Sequence, residues 1–288
     1  MQHTPKFYVK QNDTHPFLPF RDYLDLARPM TLLPLFIMGF VGGIMVHLAF
    51  AYALLFGILL VMMQAGGQSL NQSNLQEIEI DKINGKIYRP TVSGKISLIN
   101  AKIMAYSLLA IGFAISILLG VWIYGLFMVM LAVSYTERPF YLKRLFPINL
   151  LLQATARGFL PIYTLGIISH VNTLPLAIFA LIWTCALQPT KDFNDVAGDR
   201  EFGVQTLPVL MSKANVQKFM FILSIADYVF AVYVGLWFLV FLFPLDIVSI
   251  LYADRKMKIA ENSLGWVSFY MSLGLSTVFG LGGLAGTI

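Results

Sequence analysis

Residues 188–209 read QPTKDFNDVAGDREFGVQTLPV, and residues 66–97 read GGQSLNQSNLQEIEIDKINGKIYRPTVSGKIS. Each stretch follows a long apolar run and leads into a basic loop. In the first, Asp192, Asp195 and Asp199 recur at i, i+3 and i+7; in the second, Asn74, Glu77 and Asp81 keep the same spacing. On a continuous helix that spacing sets three side chains on one face. The parallel continues downstream: Lys82, Gly85 and Pro90 follow Asp81 at the offsets at which Arg200, Gly203 and Pro208 follow Asp199. Asp81 and Asp199 stand 118 positions apart, which points to two related halves. Carboxylates at the edge of apolar spans are costly to keep, so they mark a functional site.

The rest of the chain supplies the membrane. Of 288 residues, 58% are hydrophobic and 12% charged, against about 25% charged in an ordinary soluble domain. Mean hydropathy is +0.73. Apolar runs near 31–49, 52–72, 98–118, 121–135, 149–168, 173–190, 215–252 and 265–286 are unalternating. They read as helices and not as strands of a barrel. The turns near 47–52, 119–121 and 169–173 carry no Lys or Arg, whereas the joints at 74–102, 136–144, 191–218 and 254–261 carry most of them. The positive-inside rule puts the second group in the cytoplasm.

Both joints flanking 215–252 are basic, so this run crosses twice, turning near Gly235 or around Pro244. The expected fold is therefore all-α: a multi-pass bundle of nine transmembrane helices, N-terminus cytoplasmic and C-terminus outside. Residues 1–28 form a cytoplasmic leader, in which 17–28 has the pattern of an interfacial amphipathic helix, and 29–288 form one transmembrane domain. No cleavable signal peptide is visible in the leader. The net charge of +5 sits in inter-span loops and suits lipid or phosphate groups, with no nucleic-acid partner. Cys185 is the single cysteine and reads as a small buried hydrophobe. The four histidines are scattered and form no metal set.

Two acidic faces at the inner membrane edge suit hard divalent cations. Mg²⁺ takes one or two protein carboxylates and fills its shell with water and substrate phosphates. Asn74, Glu77, Asp81, Asp192, Asp195 and Asp199 are the candidate ligands, and a diphosphate bridged by such ions becomes a good leaving group.

These segments resemble the motifs of the UbiA superfamily of intramembrane prenyltransferases. Lys191, Asp192, Asp195, Gly198, Asp199, Arg200, Gly203, Thr206, Leu207 and Pro208 match its second motif, and Glu79–Asn84 with Arg89-Pro90 match the tail of its first. Arg28-Pro29 and Arg157-Gly158 are smaller echoes. The first motif departs from the family at its head: Ser73, Asn74 and Glu77 stand where Asn, Asp and Asp are common, while Asn71-Gln72, an NQ pair, lies two residues early.

The resemblance implies a nine-helix bundle around a lipid-accessible cavity and Mg²⁺-dependent transfer of a polyprenyl group from an isoprenyl diphosphate to a lipophilic acceptor. It makes Asp81, Asp195, Asp199 and Lys143 the expected catalytic residues. Asn74, Arg89, Lys143, Arg144, Lys191 and Arg200 are the expected diphosphate contacts. The family's lysine loop is not literal here, because Pro139 stands four residues before Lys143. Arg157 lies in or near a span and needs an acidic or substrate partner. Tyr124, Tyr135 and Tyr163 are candidates to stabilise an allylic cation through their ring faces. The NQ and EIDKIN pieces tilt the acceptor toward an aromatic quinone precursor; a glycerol-phosphate lipid is the alternative. A terpene cyclase on the same scaffold and a non-enzymatic cation transporter or lipid-binding protein are the rival readings.

Overall fold

In a computed structural model, residues 20–254 together with 274, 275, 280 and 281 are described. The expected span at 265–286, apart from those four positions, and the first part of the leader lie outside the described residues.

The described chain is helical throughout, with no strand among these residues. A short helix α1 (Phe20–Ala27) bends by 65° into α2 (Pro29–Met45). Arg28, with φ 58°, forms the corner, and Pro29 supplies the first turn of α2. There follow α3 (Phe50–Gln72), α4 (Leu75–Ile83), α5 (Leu98–Leu118) and α6 (Trp122–Thr136). Next, α7 (Ile148–Ala154) passes through a π turn at Thr155–Phe159 into α8 (Leu160–Ser169). After α9 (Leu174–Leu187) a 3₁₀ turn, Gln188–Asn194, leads to α10 (Val196–Glu201) and α11 (Leu207–Leu210). The long α12 (Lys213–Tyr233) turns at Gly235 into a 3₁₀ segment, Trp237–Leu242, and α13 (Phe243–Leu251). The hairpin expected within 215–252 thus forms, and of its two candidate turns it uses Gly235.

Five described helical stretches are long and apolar enough to cross a bilayer: Phe50–Gln72, Leu98–Leu118, Ile148–Ser169, Leu174–Asn194 and Lys213–Tyr233. The bent pair α1–α2 makes a sixth if counted as one span. Trp122–Thr136 and Trp237–Leu251 are apolar but shorter. The nine spans expected from hydropathy are therefore not reached as full-length helices among the described residues. The reason is length: at about 1.5 Å per residue a fifteen-residue helix falls short of the roughly 30 Å hydrocarbon core.

The central element is α3, which packs on α2, α5 and α6, while α9 packs on α12 and on the π turn. Trp183, Phe56, Phe179, Met38 and Leu59 fill the interior. Ile99, Ile103, Leu118, Phe127 and Val229 stay outside, as lipid-facing positions do. The amphipathic segment near the N-terminus is the helix α1. It buries Leu26 against Ile96 and Ala101, leaves Phe20 exposed, and is tied down by Gln72 Nε2 donating to the Leu26 carbonyl at 2.6 Å.

Candidate active site

The two acidic segments do not run on as unbroken helices. In the first, α3 stops at Gln72 and α4 starts afresh after Asn74, whose backbone is extended (φ −83°, ψ 129°). Asn74 Oδ1 accepts from the Gln76 amide at 2.9 Å, the ordinary work of an N-cap asparagine. In the second, Asp192 lies on the 3₁₀ turn, Asp195 at the junction and Asp199 on α10. The single helical face expected from the i, i+3, i+7 spacing is therefore broken in both. The physical cause is local: Ser, Asn and Asp side chains bond the backbone and favour helix starts over helix interiors.

What the segments do share is how they end. The Lys86 amide donates to the Asp81 carbonyl and the Val204 amide to the Asp199 carbonyl, each at 2.8 Å. Gly85 (φ 74°) and Gly203 (φ 67°) take the same left-handed position, where a side chain would be strained. Each loop then feeds a long span capped by serine: Ser97 accepts from the Asn100 amide, and Ser212 from the Asn215 amide.

Close packing brings the two short helices together. A Cβ on Gly198 would lie 2.6 Å from the Ile80 carbonyl oxygen and 2.8 Å from Asn84 Nδ2, so only glycine fits. The Gly198 amide donates to Asn84 Oδ1 at 2.9 Å, pinning α10 to the end of α4.

At this junction the carboxylates meet internal cations. The Lys86 ammonium bonds Asp195 and lies 3.7 Å from Asp81 Oδ1, so one cation joins both segments. Arg89 pairs with Asp81 in a buried contact, and Lys191 pairs with its neighbour Asp192. Glu77, only 2% exposed, accepts from Tyr141 Oη at 2.8 Å, from Asn71 Nδ2 at 3.2 Å and from Lys143. Asp199 has a lighter set: Thr206 Oγ1 donates to it at 3.4 Å.

Electrostatics follow these contacts. Burial pushes the Glu77 carboxyl up, but the Lys143 charge and the three donors hold it below its ordinary value. Burial alone would lower Lys143, yet Glu77 and then Asp199 raise it well above the usual range. Burial is outweighed at Asp195 by Lys86, and the carboxyl sits at about 2. At Asp199 burial dominates and pushes it up to about 7.

Glu77, Asp81, Lys86, Arg89, Lys143, Lys191 and Asp195 line a cavity of about 160 Å³ that also takes in Arg28, Thr31, Gln68, Asn71, Arg157 and Asn194. Its lining also includes apolar side chains: Met63, Met128, Leu131, Ala132, Leu152 and Ala156. A smaller adjoining hollow is lined by Asp192, Asp199 and Thr206; Tyr135, Gln153, Lys143, Lys191 and Asp195 belong to both. The fold thus brings Glu77, Asp81, Arg89, Lys143, Lys191, Asp192, Asp195 and Asp199 to one place.

Other expected residues lie elsewhere. Asn74 is absent from both linings, since its amide donates to the Thr136 carbonyl at 2.8 Å while its oxygen caps α4. Arg144 and Arg200 are exposed and line neither hollow. Of the three tyrosines, Tyr135 lines the cavity; Tyr124 is buried in the core and Tyr163 stacks on Phe159. Arg157 faces the cavity from the π turn and donates to Gln188 Oε1 at 3.3 Å. Lys86 and Tyr141 were missed as site residues. A lysine one place after a glycine turn and a tyrosine in a loop carry no motif of their own. Asn71, the head of the early NQ pair, reaches the cavity on the face of α3 that also carries Gln64, Gly67 and Gln68.

The donor chemistry suits Mg²⁺. Among the described residues no three acids or histidines are preassembled around one point. Magnesium does not require that, because it completes its shell with waters and substrate oxygens. Two observations favour the fit. The Lys86 ammonium marks a point where a cation is already held by a carboxylate from each segment. Asn71 Oδ1 is buried and accepts no hydrogen bond.

Known proteins resemble this chain in sequence and fold. The model of the UbiA prenyltransferase family matches residues 30–275. A digeranylgeranylglyceryl phosphate synthase of Methanosphaera stadtmanae is 28% identical over 89% of this chain and 96% of its own. A probable homogentisate phytyltransferase 2 of Oryza sativa is 30% identical over 62% of this chain and 50% of its own. Among solved structures, a UbiA homolog from Archaeoglobus fulgidus bound to GPP and Mg²⁺ superposes with a TM-score of 0.70. It covers 93% of this chain and 100% of its own at 18% identity, a likeness of fold.

Proposed function

The chain belongs to the UbiA prenyltransferase family, and from that premise we propose that it moves a prenyl group from an isoprenyl diphosphate onto a glycerol-phosphate lipid. That it is a prenyltransferase and an integral membrane protein follows from the family; donor, acceptor, metal and orientation are the proposal. The observation that carries it is the convergence of both acidic segments and their cations on a cavity that is also lined by apolar side chains. The charged lining suits a diphosphate, and the apolar lining an isoprenoid chain.

Six basic side chains line the main cavity (Arg28, Lys86, Arg89, Lys143, Arg157 and Lys191) beside three carboxylates (Glu77, Asp81 and Asp195). That excess suits two phosphorylated substrates better than one. The acceptor expected from the NQ and EIDKIN pieces was an aromatic quinone precursor. The relative matched over most of both chains is named for a glyceryl phosphate lipid, and the homogentisate relative matches over half its length. The glycerol-phosphate reading therefore replaces the aromatic one.

Asp81, Asp195, Asp192 and Asp199 are the residues that would hold Mg²⁺. When bound, the metal neutralises charge developing on the leaving diphosphate. Lys86, Arg89 and Lys191 donate to the remaining phosphate oxygens once those displace them from the carboxylates, and Lys143 donates to them as well. The apolar lining keeps water from the allylic carbon as its bond to the diphosphate oxygen breaks. The acceptor hydroxyl oxygen bonds that carbon, and diphosphate and a proton leave. The basic joints around the acidic segments support a cytoplasmic position for the site.

The test is product analysis in lipid nanodiscs with Mg²⁺ and radiolabelled geranylgeranyl diphosphate. Label moving onto a singly prenylated glycerol phosphate supports the reading. Label moving only onto homogentisate overturns the acceptor, and a cyclic hydrocarbon formed without acceptor overturns transfer in favour of cyclisation.

A further inference from the structure

Resting on the transferase reading above, we propose that Glu77 is a positioning residue that aims Lys143 at the donor diphosphate, and that it does not ligate the metal. The acidic pattern alone makes Glu77 one of six equivalent metal ligands. Its contacts set it apart.

A carboxylate offers about four lone-pair sites. Three of those on Glu77 are taken inside the protein: Oε1 accepts from Tyr141 Oη at 2.8 Å, and Oε2 from Asn71 Nδ2 at 3.2 Å and from Lys143. Asp192 and Asp195 each meet a lysine that a phosphate can take over, but at Glu77 a divalent cation would also have to displace the Tyr141 and Asn71 donors. Asp199 differs, with Thr206 at 3.4 Å as its hydrogen-bond donor.

The three Glu77 partners come from two places. Asn71 lies in the last turn of α3, while Tyr141 and Lys143 lie on the loop between α6 and α7. Tyr141 is 4% exposed and holds a left-handed backbone, φ 40°, which a bulky residue adopts at a cost. The strain is offset where the hydroxyl docks on Glu77, and the same dock fixes the loop two residues before Lys143. Lys143 thereby lines both the main cavity and the hollow of Asp192, Asp195 and Asp199. An ammonium has three donors. One is spent on Glu77, and two remain for phosphate oxygens lying between the acidic segments.

Two binding measurements on purified protein separate the roles: Mn²⁺ affinity by electron paramagnetic resonance without phosphate, and inorganic pyrophosphate affinity by calorimetry at saturating Mg²⁺. Glu77→Gln is expected to weaken pyrophosphate at least tenfold and to change Mn²⁺ affinity less than twofold. Lys143→Met is expected to match it, and the double variant to be no worse than about twofold beyond Lys143→Met alone. Glu77→Asp, which keeps the charge one methylene short, tests the same point if the glutamine variant folds poorly. It should spare Mn²⁺ and weaken pyrophosphate several-fold. A tenfold loss of Mn²⁺ affinity in either Glu77 variant overturns the positioning role, as does full additivity with Lys143→Met. Wild-type protein that binds no pyrophosphate with Mg²⁺ present overturns the diphosphate reading itself, and this inference with it.

Discussion

Asp81 and Asp195, one from each acidic segment, share a single ammonium: Lys86 bonds Asp195 and lies 3.7 Å from Asp81 Oδ1. The site's own cations thus join the two acidic segments. On the proposed function, substrate and Mg²⁺ together exchange these pairs, lysines going to phosphate and carboxylates to metal. Neither ligand alone satisfies both halves of the exchange.

Asp195→Ala and Asp199→Ala are each expected to lower diphosphate release at least a hundredfold, the scale of losing one preorganised charge contact in a buried site. Circular dichroism should show an unchanged helical fold. Normal turnover by either variant would sink the metal assignment.

The pH dependence of metal use follows from Asp199, which burial pushes up to about 7. A ligating carboxylate must lose its proton. Below pH 7 each Mg²⁺ that binds there releases a proton, so apparent affinity should rise up to about tenfold per pH unit and level off above 7. Without metal the sign of the stability effect is opposite. The folded state favours the protonated acid, so stability is lost as pH rises from 3.8 toward about 7. Melting in EDTA across that window, alongside Mg²⁺ titration of activity, checks both directions.

Gly198→Ala should damage the site from outside it. The new Cβ would lie 2.6 Å from the Ile80 carbonyl, backbone that cannot swing away. Overpacking of this kind costs about 1–3 kcal/mol. Forcing α10 from α4 also separates the carboxylates that Lys86 joins. A lower melting temperature together with reduced kcat is expected, and a variant matching wild type in both would show that the close approach is dispensable.

Asn71 and Asn74 should part company on substitution. Asn74→Ala removes an N-cap and is expected to cost about 1 kcal/mol of stability with Mg²⁺ dependence unchanged. Asn71→Ala removes a cavity oxygen and a donor to Glu77, and should cut turnover at least several-fold. Thermal melts and Mg²⁺ titrations of both variants decide the assignment. Reversed roles would mean that the register read directly from the acidic spacing is the functional one.

Much of this was legible in the chain itself. Hydropathy alone required helices in a membrane, because long apolar runs with few charges have no other stable arrangement there. The repeated offsets of Asp, Gly and Pro marked both acidic segments, and those offsets reappear as the same turn at Gly85 and Gly203. Such features are local: they depend on residues a few positions apart, which is the range over which a linear pattern carries information.

Tertiary structure decided which of the marked residues reach the cavity, and what they meet there. Capping by Asn74 broke the helix and kept Asn74 out of the cavity; the close approach at Gly198 set the two segments against each other; and a loop tyrosine with no motif docked on Glu77 beside Lys143. Each depends on contacts between elements tens of residues apart, where packing and buried charge pairing override what spacing suggests.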